Sequence, residues 1–408
     1  MRGLVLAGGY PQIALINELK SRDIYVVLAD WNEEPVAKKY CDKYYRVSTL
    51  DVEAIRRVAI DESVDFIVTV CTDQALLTVA KVSEELGLPC YIDYQTALNV
   101  TNKAYMKSVF EENGISTAKH KIVDTFNPLD YTGWDFPLIV KPVDCNSSKG
   151  VKKVTNDNEL ENAVKQAIKL SRTNTAVVED FVAGTELSVD VYVENGKANV
   201  LCISSLEKIG DKDKFVIFRG LCPAREAKAV EAKIQHVAQQ IADAFKLKDS
   251  PMLIQLITDG KNVYVLEFSA RTGGGLKYLR IQRTTGFDVI RAVVDLTLGE
   301  KPHYENNIEL PKYSTDEFIY CKPGVFDHLE GFEECKNDGL IEDYYLFKWK
   351  GAVFDTIENS GDRICAYTLM GDSIEELGKK HNVVKNRIRV IDNQGNDMTR
   401  RDLLTDII

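Results

Sequence analysis

Short apolar runs alternate with stretches of helical spacing through the first ninety residues, and this alternation restricts the start of the chain to very few folds. Gly3 to Ala7, Tyr25 to Ala29 and Val64 to Val70 read as strands, and Ala14 to Ser21 and Gln74 to Leu86 as helices. Strands interleaved with helices form βαβ units, whose strands pair in parallel. Gly8-Gly9 lies between the first strand and the first helix. It permits a sharp reversal there, and the G-x-G-x-x-G fingerprint of a dinucleotide site is absent.

From about Thr101 the pattern changes. Lys103 to Asn113 reads as a helix stopped at Asn113-Gly114, and Phe136 to Val151 as strand, polar loop and strand. Thr175 to Val193 contains two strands around Gly184. Val230 to Phe245 is helical, Leu253 to Phe268 is a hairpin turning at Asp259-Gly260, and Asp288 to Leu298 is a helix ended by Gly299. Beyond Pro302, strands within Val325 to Val353 and Asp362 to Tyr367 and a helix at Ile374 to Lys380 indicate a smaller unit. The chain of 408 residues thus divides into 1–98, 99–305 and 306–408, with a lid over about 115–185. The expected class is α/β plus α+β.

The net charge of −11 argues against a polyanion such as nucleic acid as partner. No run of eighteen apolar residues occurs, so no membrane span is expected. Nine cysteines at irregular spacings, with no Cys-x-x-Cys, suggest reduced thiols and a cytoplasmic setting. The five histidines show no metal-ligand spacing.

The middle region supplies what phosphoryl transfer needs: cations for the phosphates, backbone donors over them, and an apolar slot for a base. Lys141 ends the apolar strand Phe136-Pro-Leu-Ile-Val, and Lys103 opens a helix. Ser147-Ser148-Lys149-Gly150-Val151 is a small-residue loop whose N–H groups can wrap phosphate. Val177 to Val182 is an apolar strand passing into a linker, followed by Gly184 and Glu186. Glu267 and Ser269 are two apart and share a strand face, with Gln255 on the facing strand. Arg271 and the run Gly273-Gly274-Gly275 follow. Each segment also has an ordinary reading: a surface lysine, a hairpin turn, a core strand, a solvated strand face. For Arg271 it is a salt bridge to a nearby carboxylate such as Glu267.

The ordered set Lys103, Lys141, Ser147 to Val151, Glu179-Asp180-Phe181-Val182, Glu186, Gln255, Glu267-Phe-Ser269-Ala-Arg271 resembles the ATP-grasp superfamily. Within it the chain is most similar to carbamoyl-phosphate-synthase-like and amino-acid-ligase-like members, over roughly residues 1 to 300. The resemblance implies a Rossmann-like pre-ATP-grasp domain, a central ATP-grasp fold and a small C-terminal α+β domain. It implies that Lys103 and Lys141 contact the phosphates of ATP and that Ser147, Ser148, Lys149, Gly150 and Val151 form the phosphate loop. Glu179, Phe181 and Val182 would bind adenine and Glu186 the ribose. Gln255, Glu267 and Ser269 would hold Mg2+, with Mn2+ as a substitute, and Arg271 would act with Lys141 in catalysis. Ser269 stands where the family commonly has Asn, and Gln255 where a carboxylate is usual. The implied activity joins a carboxylate to an amine through an acyl phosphate, with amino acids, peptides and amino sugars open as substrates and a homodimer allowed. A nucleotide-binding regulatory protein and a bicarbonate-using carboxylase are the alternatives.

Overall fold

A computed structural model describes residues 1–124, 133–145, 149–209, 216–306 and 313–407. The chain begins β1 (Arg2–Leu6), α1 (Tyr10–Ser21), β2 (Tyr25–Asp30), β3 (Lys43–Arg46), α2 (Val52–Asp61), β4 (Phe66–Val68) and α3 (Asp73–Leu86). The strands pair in parallel in the order β3-β2-β1-β4, as the alternation requires. Leu4 and Leu6 pack on one face of this sheet and Val5 on the other. Gly8 leaves no room for a side chain: an added Cβ would stand 2.5 Å from Pro35, and its N–H donates to Asp30 Oδ2 at 2.7 Å. The two-glycine turn is therefore a packing contact. Strand β3 and helix α2 escape the sequence reading. Both are short, and β3 (Lys-Tyr-Tyr-Arg) has no fully buried residue.

Helices α4 (Tyr94–Thr101) and α5 (Lys103–Glu112) lead into a four-stranded antiparallel sheet of β5 (His120–Asp124), β6 (Leu138–Pro142), β7 (Lys152–Val154) and β8 (Thr175–Asp180), in the order β5-β8-β6-β7. Helix α6 (Asp157–Leu170) lies against β6 and buries Leu160, Ala163 and Ala167. An eight-stranded sheet follows, ordered β13-β12-β9-β10-β11-β14-β18-β16. Its first members are β9 (Thr185–Glu194), β10 (Lys197–Lys208), β11 (Ile217–Cys222), β12 (Ser250–Thr258) and β13 (Val263–Ser269). Helices α7 (Ala227–Ala244), α8 (Lys277–Thr285) and α9 (Val289–Thr297) pack on it. The sheet continues through β14 (Tyr313–Ile319). Beyond that strand come β15 (Gly324–Glu330), α10 (Phe332–Asn337), β16 (Asp343–Leu346), β17 (Val353–Phe354), β18 (Cys365–Gly371), α11 (Ile374–Arg387) and β19 (Arg389–Asp392). Strands β14, β18 and β16 complete the large sheet, and β17-β15-β19 form a small one.

Two of the nine cysteines meet: Cys202 and Cys222 are buried on the adjacent strands β10 and β11 with their sulfurs close together. Spacing along the chain cannot reveal a pair that strand pairing brings together. Among the described residues no helix is long and apolar enough to cross a membrane.

Candidate active site

Helix α5 begins at Asn102, whose side chain accepts the N–H groups of Ala104 and Tyr105. That cap fixes Lys103 in the first turn. Its Nζ donates to Cys145 O at 2.9 Å and pairs with Glu267 at 3.0 Å. One turn on, the fully buried Lys107 pairs with Glu179 at 3.1 Å. Lys141, near the end of the wholly buried β6, reaches the other oxygen of the same carboxylate at 2.6 Å. Two lysines thus share Glu179, which is 2% exposed. Burial alone would raise the Glu179 carboxyl, but Lys141 and Lys107 outweigh it and hold it at about 2.

Lys103, Lys141, Lys149, Val151, Glu179, Phe181, Val182, Glu186, Gln255 and Glu267 line one cavity. Ile139, Ile257 and Leu266 give it an apolar wall, and Lys153 lies 3.6 Å over the Phe181 ring. Glu186 is paired with Lys208. Gly150 has φ +78°, and a Cβ there would stand 2.9 Å from Pro142 and 2.8 Å from Leu170. Glycine therefore sets the bend that carries Lys149 and Val151. Ser147 and Ser148 lie outside the described residues.

Gln255 faces Glu267 across the β12–β13 ladder, and Leu253 faces Ser269. Burial works to raise the Glu267 carboxyl, but Lys103 and Lys141 hold it below the usual carboxylate range. An ionised carboxylate beside an amide oxygen suits Mg2+, which takes one or two protein carboxylates and fills its remaining positions with phosphate and water oxygens. Lys103 occupies that carboxylate here, so a metal would take its place as the counter-charge.

Lys103, Gln255 and Glu267 also border a second cavity of about 450 Å³, lined by Ser269, Arg271, Gly274 and Gly275. The partner of Arg271 is Asp73, at the start of α3: Nε donates to Oδ1 at 2.6 Å and Nη2 to Oδ2. This corrects the pairing with Glu267 offered by the sequence. Burial opposes the charge on Arg271 and Asp73 outweighs it, holding the guanidinium above its ordinary value. Sequence reasoning also missed Lys107, Lys277, Arg280, Asp316 and Arg363. Lys107 alone left a local signal, one helical turn after Lys103.

A family model described as an ATP-grasp domain matches residues 134–279. The chain is 30% identical over 204 residues to a D-alanine–D-alanine ligase of Flavobacterium johnsoniae, covering 47% of this chain and 61% of that one. It therefore spans less than two thirds of that relative. It is 23% identical to a phosphoribosylamine–glycine ligase of Methanobrevibacter smithii, over 93% of this chain and 92% of the other. The solved L-amino acid ligase from Bacillus licheniformis superposes with a TM-score of 0.80 at 21% identity, over 96% of this chain and 99% of that one. The motif order and the lysine-lined cavity agree with this match, and residues 134–279 are similar to an ATP-grasp domain.

Proposed function

We propose that the chain binds Mg-ATP in the first cavity and uses it to join a carboxylate in the second cavity to an amine. The observation that carries this reading is the shared wall. Lys103, Gln255 and Glu267 border both cavities, so a terminal phosphate held in the first lies at the mouth of the second. Phe181, Val182 and the apolar wall would take the base, Glu186 the ribose, and Lys141 and Lys103 the phosphates, with Lys149, Gly150 and Val151 above them. Gln255 and Glu267 would hold Mg2+, which neutralises phosphate charge, and Ser269 stands beside them. Arg271, braced by Asp73, would align the carboxylate. A carboxylate oxygen attacks the γ-phosphorus and ADP leaves. The neutral amine nitrogen then attacks the acyl carbon, the C–O bond to phosphate breaks, phosphate departs with that oxygen, and the proton lost from nitrogen passes to phosphate or water.

The same reading divides the chain at 1–98, 99–305 and 306–408. It assigns residues 115–185 the part of a lid that keeps water from the acyl phosphate, in a cytoplasmic enzyme with room for a homodimer. The test uses oxygen-labelled carboxylates. One labelled oxygen is expected in the released phosphate, and ADP is expected only when a carboxylate and an amine are both supplied. Unlabelled phosphate would exclude the acyl phosphate. ADP formation indifferent to both substrates would favour a nucleotide-binding regulator.

A further inference from the structure

Three lysines and two carboxylates cluster at the first cavity, and one of the lysines has no part in the reaction above. Lys103 and Lys141 line that cavity, whereas Lys107, fully buried, lines neither cavity. Lys107 Nζ donates to Thr117 Oγ1 and, at 3.5 Å, to Val265 O, and it stands 3.1 Å from Glu179 Oε2. Lys141 donates to Oε1 of the same carboxylate at 2.6 Å, but Oε2 accepts no hydrogen bond among the described residues. Lys107 is therefore close enough to counter the charge on Oε2 without being aligned on it. Burial pushes the Lys107 ammonium down to about 8 against the pull of Glu179, and the neighbouring Lys141 adds to the push. It still carries its charge at pH 7. Opposite Glu179 on β5, His120 is held below its ordinary value by burial and by Lys107, so it brings no charge at that pH.

A nucleotide in the first cavity asks both lining lysines to leave their carboxylates. Lys103 turns from Glu267, where Mg2+ would stand in for it. Lys141 turns from Glu179, and a buried carboxylate stripped of its cation is strongly disfavoured. Burial opposes the charge on Glu179, 2% exposed, and Lys141 and Lys107 sustain it. With Lys141 drawn away, Lys107 is the cation that remains. We propose that Lys107 is a positioning residue for the nucleotide: it keeps Glu179 countered while Lys141 serves the phosphates of ATP, and so sets phosphate affinity without touching phosphate. The inference rests on the reading that Mg-ATP occupies the first cavity. Once Lys141 withdraws, its repulsion of Lys107 weakens while the attraction of Glu179 stays, so Lys107 closes on Oε2. Each carboxylate that gives up a lysine to phosphate thus has a second cation at hand.

Calorimetric titration of the full chain tests this with two probes: Mg-ATP, and adenosine, which has the base and ribose but no phosphate. A wild type that binds no Mg-ATP would remove the nucleotide reading and this role with it. With binding established, Lys107→Met is expected to raise the Kd for Mg-ATP about tenfold to a hundredfold, the worth of one hydrogen bond to a charged group, and to leave adenosine within about twofold. Lys107→Arg should keep most of the Mg-ATP affinity. Adding Glu179→Gln to Lys107→Met should restore it, because no buried charge is then left to counter. Wild-type Mg-ATP affinity in Lys107→Met would overturn the proposal and leave the nucleotide site in place. Equal losses for Mg-ATP and adenosine would overturn it as well, since they report a general distortion. A further comparison holds even where Lys107→Met alone does not fold. Glu179→Gln and Glu179→Gln with Lys107→Met are expected to bind Mg-ATP equally, and a tenfold weaker double variant would mean that the charge of Lys107 acts on phosphate itself, against the proposal.

Discussion

Glu267 and Glu179 are both ionised carboxylates beside lysines, yet their positions assign them different work. Glu267 borders both cavities, and its ion-pair partner is Lys103. Glu267→Gln keeps the shape and removes the charge. It is expected to lower turnover on the order of a hundredfold and to raise the Mg2+ concentration needed for half-maximal rate, with nucleotide affinity changed less. Steady-state rates over a magnesium series read this, and an unchanged magnesium dependence would place the metal elsewhere. Glu179 is sealed between Lys141 and Lys107, so its effect appears in stability. Its pKa falls from 4.5 unfolded to about 2 folded. A depressed carboxylate contributes stability above the unfolded value and loses it as pH falls through the folded one. Between about pH 5 and 2 the wild type is expected to lose on the order of 3 kcal/mol more than Glu179→Gln, measured by urea unfolding across that range. Parallel pH curves would show that the lysines do not depress Glu179. These residues also mark what a sequence reveals. Lys141, Gly150 and Glu267 announce themselves because strand ends, glycine loops and alternating strand faces are local patterns. Asp73 could not be paired with Arg271 in advance, because 198 residues separate them and only the fold brings the start of α3 to the segment after β13.

At the scale of elements, the connection from β8 to β9 is closely confined. It passes from Val182 to Glu186 through Gly184, whose φ is +154° and whose added Cβ would stand 2.2 Å from Thr258 O. Backbone cannot yield as a side-chain tip can, so Gly184→Ala must push β9 from the end of β12. The expected cost is about 1–3 kcal/mol, with weaker ATP binding if the segment carries the base and ribose positions proposed for it. Gly260, at the β12–β13 turn, has φ +87° and open space around it, so Gly260→Ala should cost only about 1–2 kcal/mol and leave ATP affinity alone. Urea unfolding and ATP titration of the two variants test the contrast, and equal effects would contradict it. Both turns were legible as glycine punctuation between apolar runs. The register that places Thr258 over Gly184 was not, because it follows from the pairing of β12 with β9.

Over the whole molecule, the eight-stranded sheet makes one body of segments that the sequence divides, and β11 and β14 are its seam. Arg219 stands opposite Glu317 and Gly220 opposite Asp316, so the seam carries ion pairs on both faces: Arg219 with Glu317 and Glu207 on one, Asp316 with Arg280 on the other. The Asp316–Arg280 pair borders the second cavity. On the other face Arg219, fully buried, donates to Glu317 Oε1 at 2.6 Å, to Thr405 O at 2.6 Å and to Asp406 O at 3.2 Å, tying the last residues to the sheet. Arg219→Met would leave Glu317, 1% exposed, without that counter-charge. A buried carboxylate stripped of its cation costs about 3–5 kcal/mol, whereas replacing both partners by apolar groups is often close to neutral. Arg219→Met is therefore expected to lose about that much in urea unfolding, and Arg219→Met with Glu317→Leu to recover most of it. Hydrogen exchange should quicken at β14, β18 and the chain end and stay unchanged at β1 and β2, which belong to a separate sheet. A double variant no more stable than the single would mean that Arg219 acts through its bonds to Thr405 and Asp406, and the hold on the chain end, rather than the ion pair, would then be what joins the two segments.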